Sequence, residues 1–93
     1  GYSVFPEEVE TILIKHPAIA QAAVIGVADA QKGEVVRAFI VRKPGQSLEA
    51  DDLLAWSRDN MASYKAPREV RFIDALPATG AGKVLRRLLR DMS

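Results

Sequence analysis

Apolar positions change their spacing along the chain, and each change marks an element. Val9, Ile12, Leu13 and His16 recur at i, i+3, i+4 and i+7 behind Phe5-Pro6-Glu7-Glu8. Proline suits a first helical position, and acids favour the positive end of the helix dipole, so this spacing predicts an amphipathic helix over residues 6–15. Pro17 disfavours helical geometry at His16 and stops it. From Ala18 to Val27 the chain is continuously apolar with Val24, Ile25 and Val27, which predicts a strand. Val35 to Arg42 predicts a second, clearer one from its β-branched residues. The polar stretch 28–33 connects them, so they pair as a long-looped antiparallel hairpin. After the turn Lys43-Pro44-Gly45-Gln46, residues Leu53, Trp56, Asn60 and Met61 lie near one helical face and predict a helix over about residues 50–60, with Trp56 as a core anchor. Pro67 holds a loop, Glu69 to Ile73 alternates as a short strand, and Leu85, Leu88 and Leu89 line one face of a last helix whose Arg86, Arg87 and Arg90 point elsewhere. A further short strand near Tyr2 to Val4 is compatible with the pattern. The order implies an α+β fold, a small mixed β-sheet with an antiparallel hairpin covered by about three helices, in a single domain spanning 1–93.

Composition narrows the function classes. Ninety-three residues, 48% of them hydrophobic, make one core, and no apolar run reaches membrane-spanning length. The chain has no cysteine, so disulfides and thiolate metal sites are excluded, in keeping with a cytoplasmic protein. One histidine, His16, and scattered acids form no metal-ligand constellation, and no metal is expected on this domain. The net charge of +1 hides an asymmetry: through Tyr64 six bases face nine acids, whereas from Lys65 onward seven bases face three. The C-terminal third is therefore the side for an anionic partner, a nucleotide cofactor or a nucleic acid alike.

The candidate chemistry lies where a small-residue loop meets the last helix, at Pro77-Ala78-Thr79-Gly80-Ala81-Gly82-Lys83-Val84. A glycine loop with a lysine at a helix start invites comparison with the phosphate-binding loop that ends in Gly-Lys followed by Ser or Thr. The comparison fails: Pro77 stands where the first glycine belongs, and Val84 where a magnesium-binding hydroxyl is required. Two readings of Lys83 remain open on spacing alone. It is a point charge on a long stem, placed where negative charge accumulates in a reaction, or an ordinary solvated lysine after a glycine turn.

The run Pro77-x-Thr79-x-x-Gly82-Lys83-Val84-x-Arg86-x-x-Leu89-Arg90 resembles the C-terminal motif of the adenylate-forming enzymes, which include acyl- and aryl-CoA synthetases, peptide-synthetase adenylation domains and firefly-type luciferases. Gly1-Tyr2-Ser3-Val4-Phe5-Pro6-Glu7-Glu8-Val9-Glu10 is similar to the opening of their C-terminal domain, and Tyr64-Lys65-Ala66-Pro67-Arg68 to another of its signatures. The resemblance runs through nearly the whole chain. Ala81 departs from it, since many members carry Ser or Thr there.

The resemblance implies the mobile C-terminal domain of an ATP-dependent acyl- or aryl-CoA ligase. The N-terminal adenylation domain and the hinge are expected upstream of Gly1 in the same polypeptide, and the isolated domain is expected to be inactive. ATP and CoA are the implied co-substrates alongside a carboxylic acid, with Mg2+ expected in the full enzyme. Lys83 matches the catalytic lysine of carboxylate adenylation. Gly1, Tyr2 and Ser3 match a loop lining the CoA channel, Lys32 a position that contacts the CoA nucleotide in some ligases, and Tyr64 an aromatic position near CoA. Any phosphate contact from the neighbouring signature falls to Lys65 or Arg68. Fatty-acid metabolism is the implied setting. The nearest rival is a peptide-synthetase adenylation subdomain, although Tyr2-Ser3-Val4-Phe5-Pro6 looks more like the CoA ligases. A non-catalytic nucleotide- or RNA-binding module is the alternative from another class; the resemblance itself implies no nucleic-acid partner.

Overall fold

The computed structural model describes residues 6–29, 31, 33–62, 65–77 and 82–92. In chain order the elements are α1 (Pro6–Leu13), β1 (Ile19–Asp29), β2 (Gly33–Arg42), α2 (Ala50–Asn60), β3 (Glu69–Phe72) and α3 (Gly82–Met92). The three strands form one sheet in the order β1-β2-β3. β1 and β2 pair antiparallel from Ile19 opposite Arg42 to Asp29 opposite Gly33, with an irregularity between Ile19 and Gln21. β2 and β3 pair in parallel from Arg37 opposite Glu69 to Ile40 opposite Phe72, so α2 is the crossover of a β-α-β unit. This is the α+β arrangement with a small mixed sheet and an antiparallel hairpin.

Successive side chains of a strand point to opposite faces, and each face here has its own apolar cluster. On one, Val24 of β1 and Val36, Ala38 and Ile40 of β2 meet Val9 and Leu13 of α1 and Leu53 of α2. On the other, Ala23 and Ile25 of β1 and Phe39 of β2 meet Leu89 of α3, with Ile73 and Leu76 packed alongside. The sheet is thus covered by two helices on one side and one on the other. None of the described helices is long and apolar enough to cross a membrane.

Element boundaries differ from the sequence expectation in instructive ways. The hairpin ladder runs past the apolar residues to Ala28 opposite Glu34 and Asp29 opposite Gly33, because backbone pairing needs no apolar side chain. Gly33 closes the tip with φ +82°, a left-handed conformation that favours glycine. Helix α1 gives up its regular ladder at Leu13: Lys15 and His16 donate to Ile12 and Leu13, three residues back, at 3.1 and 3.0 Å. On α2 the buried polar residue is Ser57, whose hydroxyl donates to Leu53 O at 2.8 Å, whereas Asn60 is exposed and donates to Trp56 O.

His16 has a defined structural job. Its Nδ1 accepts the N–H of Ala18 at 3.0 Å, and its ring meets Trp56 edge to face at a centroid distance of 5.1 Å. It thereby links the α1–β1 turn to α2. Because Ala18 is buried, His16→Ala strands that N–H and is expected to cost about 1–3 kcal/mol. Urea unfolding of the 93-residue chain, with the midpoint shifting at constant slope, measures it.

Candidate functional site at the start of helix α3

The glycine-lysine sequence opens α3, and local chemistry explains why the helix begins there. Ile73 extends the β3 pairing by donating its N–H to Ile40 O at 2.9 Å, and the half-buried Leu76 and Pro77 follow it across the sheet face. After residues 78–81, which lie outside the described part, Gly82 is the first helical residue and Lys83 the second. The first turn of a helix carries unsatisfied N–H groups and the positive end of the dipole. A lysine in that turn concentrates positive charge at one place.

Leu89, fully buried against Ala23, Ile25 and Phe39, holds the middle of α3 on the sheet. A second anchor is polar and sits one turn into the helix. Arg86, expected to point away from the core, instead turns inward: its Nη2 donates to Glu10 Oε1 at 3.1 Å and Oε2 at 3.3 Å. Both side chains are mostly enclosed, at 18% and 19% exposure. Glu10 Oε2 also accepts the N–H of Val24 at 2.8 Å. Val24 belongs to β1, which borders the sheet among the described residues, so Glu10 takes the place of a strand partner for this N–H. One carboxylate of α1 thus bonds both the edge strand and the arginine of α3. Farther along the helix, Arg90 Nη2 reaches Gly26 O at 3.5 Å.

The other expected site residues divide into two groups. Lys65 is half-buried and ion-paired with Glu8 of α1, so the Tyr64-to-Arg68 signature is tied to the same helix that supplies Glu10. Arg68 has an exposed side chain, while its backbone N–H donates to Val36 O at 2.9 Å and leads into β3. Gly1, Tyr2, Ser3, Lys32 and Tyr64 lie outside the described residues, as does the strand considered near Tyr2 to Val4. The backbone of Lys83 is placed on α3, and its ammonium lies outside the description. Among the described residues no group of three or more His, Cys, Asp or Glu is arranged to hold a metal ion. Sequence reasoning missed Glu10. The only signal available was an acid beside Val9 in the middle of the first helix, where solvent exposure is the ordinary outcome.

Residues 8–83 of this α+β chain match the family described as "AMP-binding enzyme C-terminal domain". The chain belongs to that family. Among curated relatives it is 46% identical, over 91 residues, to the 3-[(3aS,4S,7aS)-7a-methyl-1,5-dioxo-octahydro-1H-inden-4-yl]propanoyl:CoA ligase of Rhodococcus jostii (strain RHA1), a match covering 98% of this chain and 18% of that protein. Among solved structures it is similar to an acyl-CoA synthetase of Brucella canis, with TM-score 0.87 and 39% identity over 99% of this chain and 18% of that one. It is also similar to the anthranilate CoA ligase AuaEII in complex with anthranoyl-AMP, with TM-score 0.80 and 39% identity over 96% of this chain and 18% of that one. The chain therefore spans less than a fifth of the length of these proteins.

Proposed function

We propose that this chain is the mobile C-terminal lid domain of an AMP-forming acyl- or aryl-CoA ligase, working against the N-terminal adenylation domain of the same polypeptide in the cytoplasm. The observation that carries the reading is the entry of α3, where Gly82 and Lys83 form the first turn of a helix anchored on both its apolar and its polar side. Membership of the family and the ligase names of the relatives support it.

The reaction has two halves. A carboxylate oxygen of the acid bonds to the α-phosphorus of ATP and pyrophosphate leaves, giving an acyl-adenylate. The CoA sulfur then bonds to the acyl carbon, its proton is released, and AMP departs. In the first half two anions are forced together, and the work of the enzyme is to stabilise that crowded charge. Lys83 serves as a protonated point charge beside the carboxylate and bridging oxygens, with no proton abstraction or covalent attack. No step is assigned to a metal on this domain; Mg2+ belongs with ATP in the rest of the enzyme. In the second half the domain turns, Lys83 withdraws, and Gly1, Tyr2 and Ser3 line the pantetheine channel, with Tyr64 beside CoA and Lys32 at its nucleotide.

Lys65 and Arg68 bind CoA phosphates in this second arrangement. For Lys65 this means exchanging one anionic partner, the Glu8 carboxylate, for another, a CoA phosphate. Replacing both bases by alanine is expected to raise the KM for CoA about ten-fold, the equivalent of about 1.4 kcal/mol, with the adenylation rate unchanged. An unchanged KM removes them from the CoA site. Micromolar, steeply salt-dependent binding of generic RNA by the wild-type chain supports a nucleic-acid module instead.

Because the chain carries only half of the active site in this reading, the isolated 93 residues are expected to fold yet to catalyse no ATP–pyrophosphate exchange. Exchange above background by the purified chain contradicts the assignment as an accessory domain.

A further inference from the structure

We infer that Glu10 is a positioning residue for the adenylation lysine: its carboxylate, bonded at once to the Val24 N–H and to Arg86, fixes the rotation and height of α3 on the edge of β1. The inference rests on the role proposed for Lys83, and it adds a residue from the far end of the chain that no glycine-lysine pattern points to.

Among the described side chains of α3, Leu89 is the buried apolar knob, six residues beyond Lys83, and the helix pivots on it. Lys83 lies almost two helical turns from that pivot, so a small rotation becomes a displacement of the order of 1 Å at the helix start. A second fixed point near the first turn limits that rotation. Arg86 supplies it, one turn from Gly82, and Glu10 is what Arg86 grips.

The spacing of the contacts supports a registered seat rather than a casual ion pair. Arg86 and Arg90 are four residues apart on α3, a rise of about 6 Å. They reach β1 at Val24 and Gly26, two residues apart on a strand, a rise of about 6.6 Å. The helix stripe and the strand edge therefore keep step, with α3 running along β1 in the same direction. Glu10 enters this register as an adaptor: Val24 offers a donor and Arg86 is itself a donor, so an acceptor between them joins the two. The buried Arg86 Nε has no partner among the described residues, which is an expense a purely stabilising residue would avoid.

Glu10 lies two residues beyond Glu8 on α1: Glu8 holds Lys65, and Glu10 holds Arg86. Helix α1 is thus the common base for a residue proposed for each half-reaction.

The test uses the full-length polypeptide and separates the half-reactions. Glu10→Ala is expected to lower kcat for acyl-adenylate formation by about ten- to a hundred-fold, the scale on which small misplacements act, with KM for ATP within two-fold. Thioester formation from supplied acyl-adenylate stays at the wild-type rate. Glu10→Gln keeps a carbonyl acceptor and retains most of the activity. The exchanged pair, Glu10→Arg with Arg86→Glu, restores opposite charges but leaves Val24 without an acceptor, and remains as slow as Glu10→Ala. Ile40→Val, on the opposite face of the sheet, serves as a control for lost stability and leaves the ratio of the two half-reactions unchanged. Hydrogen exchange followed by mass spectrometry should show faster exchange in peptides covering residues 19–29 and 82–92 for Glu10→Ala. Full adenylation activity in Glu10→Ala or in the exchanged pair, while Lys83→Ala is crippled, overturns the inference. If Lys83→Ala is itself harmless, the proposed role of Lys83 falls, and the exchange data alone decide whether Glu10 seats α3: unchanged protection of both peptides overturns it.

Discussion

Lys83→Ala in the full-length enzyme is expected to slow acyl-adenylate formation by about 10²- to 10³-fold, the loss seen when one preorganised contact to a developing charge is removed. The reasoning starts at α3, whose first turn contains Lys83 and whose helix is held by Leu89 and by the Glu10–Arg86 pair. A charge held in place before the reaction needs little reorganisation during it, so its loss falls on the transition state more than on substrate binding. The expected signature is a fall in kcat with KM for ATP little changed. Lys83→Arg keeps the charge but replaces a compact ammonium by a planar fork, and only partial activity is expected from it. Pyrophosphate exchange measures both variants. A loss confined to KM would place Lys83 in ground-state binding instead.

The largest stability effect is expected at Phe39. It lies on the central strand, paired with Ala23 on one side and Arg71 on the other, and its ring is 1% exposed beneath α3 beside Ile25 and Leu89. Phe39→Ala removes most of the aromatic volume from the cluster it forms with Ala23, Ile25 and Leu89. The expected cost is about 3–5 kcal/mol. A domain of this size has roughly 5–14 kcal/mol in total, so the variant approaches the threshold of folding. The melting temperature should fall by at least about 12 °C, at roughly 4 °C or more per kcal/mol. Ile14→Ala, at a side chain 52% exposed, should stay within about 0.5 kcal/mol of wild type. Thermal unfolding by circular dichroism compares them, and similar losses at the two positions would contradict the assignment of the core.

What could be read from the chain was what depends on neighbours in sequence. Pro6, Glu7 and Glu8 mark the start of α1, and the β-branched run from Val35 identifies β2, because helix entry and strand preference are local. The glycine-lysine entry to α3 is equally local, and the family could be named from it. What could not be read depends on distant partners. Glu10 and Arg86 are 76 residues apart, and Glu8 and Lys65 are 57 apart. Periodicity placed Arg86 off the leucine face and named no partner for it; the partner is Glu10, whose carboxylate also accepts the Val24 N–H at the sheet border. Ser57 was overlooked for a related reason. Its hydroxyl turns back to Leu53 O, which lets a polar residue occupy a core position that a hydrophobic pattern does not mark.

The role of Lys83 is tested most directly by measuring both half-reactions on one preparation of Lys83→Ala. Pyrophosphate exchange follows the first, and single-turnover transfer from supplied acyl-adenylate to CoA follows the second. The expected result is a first half slowed at least about 100-fold and a second half at the wild-type rate. Equal losses in both halves, or no loss in the first, would contradict the assignment of Lys83 to carboxylate adenylation.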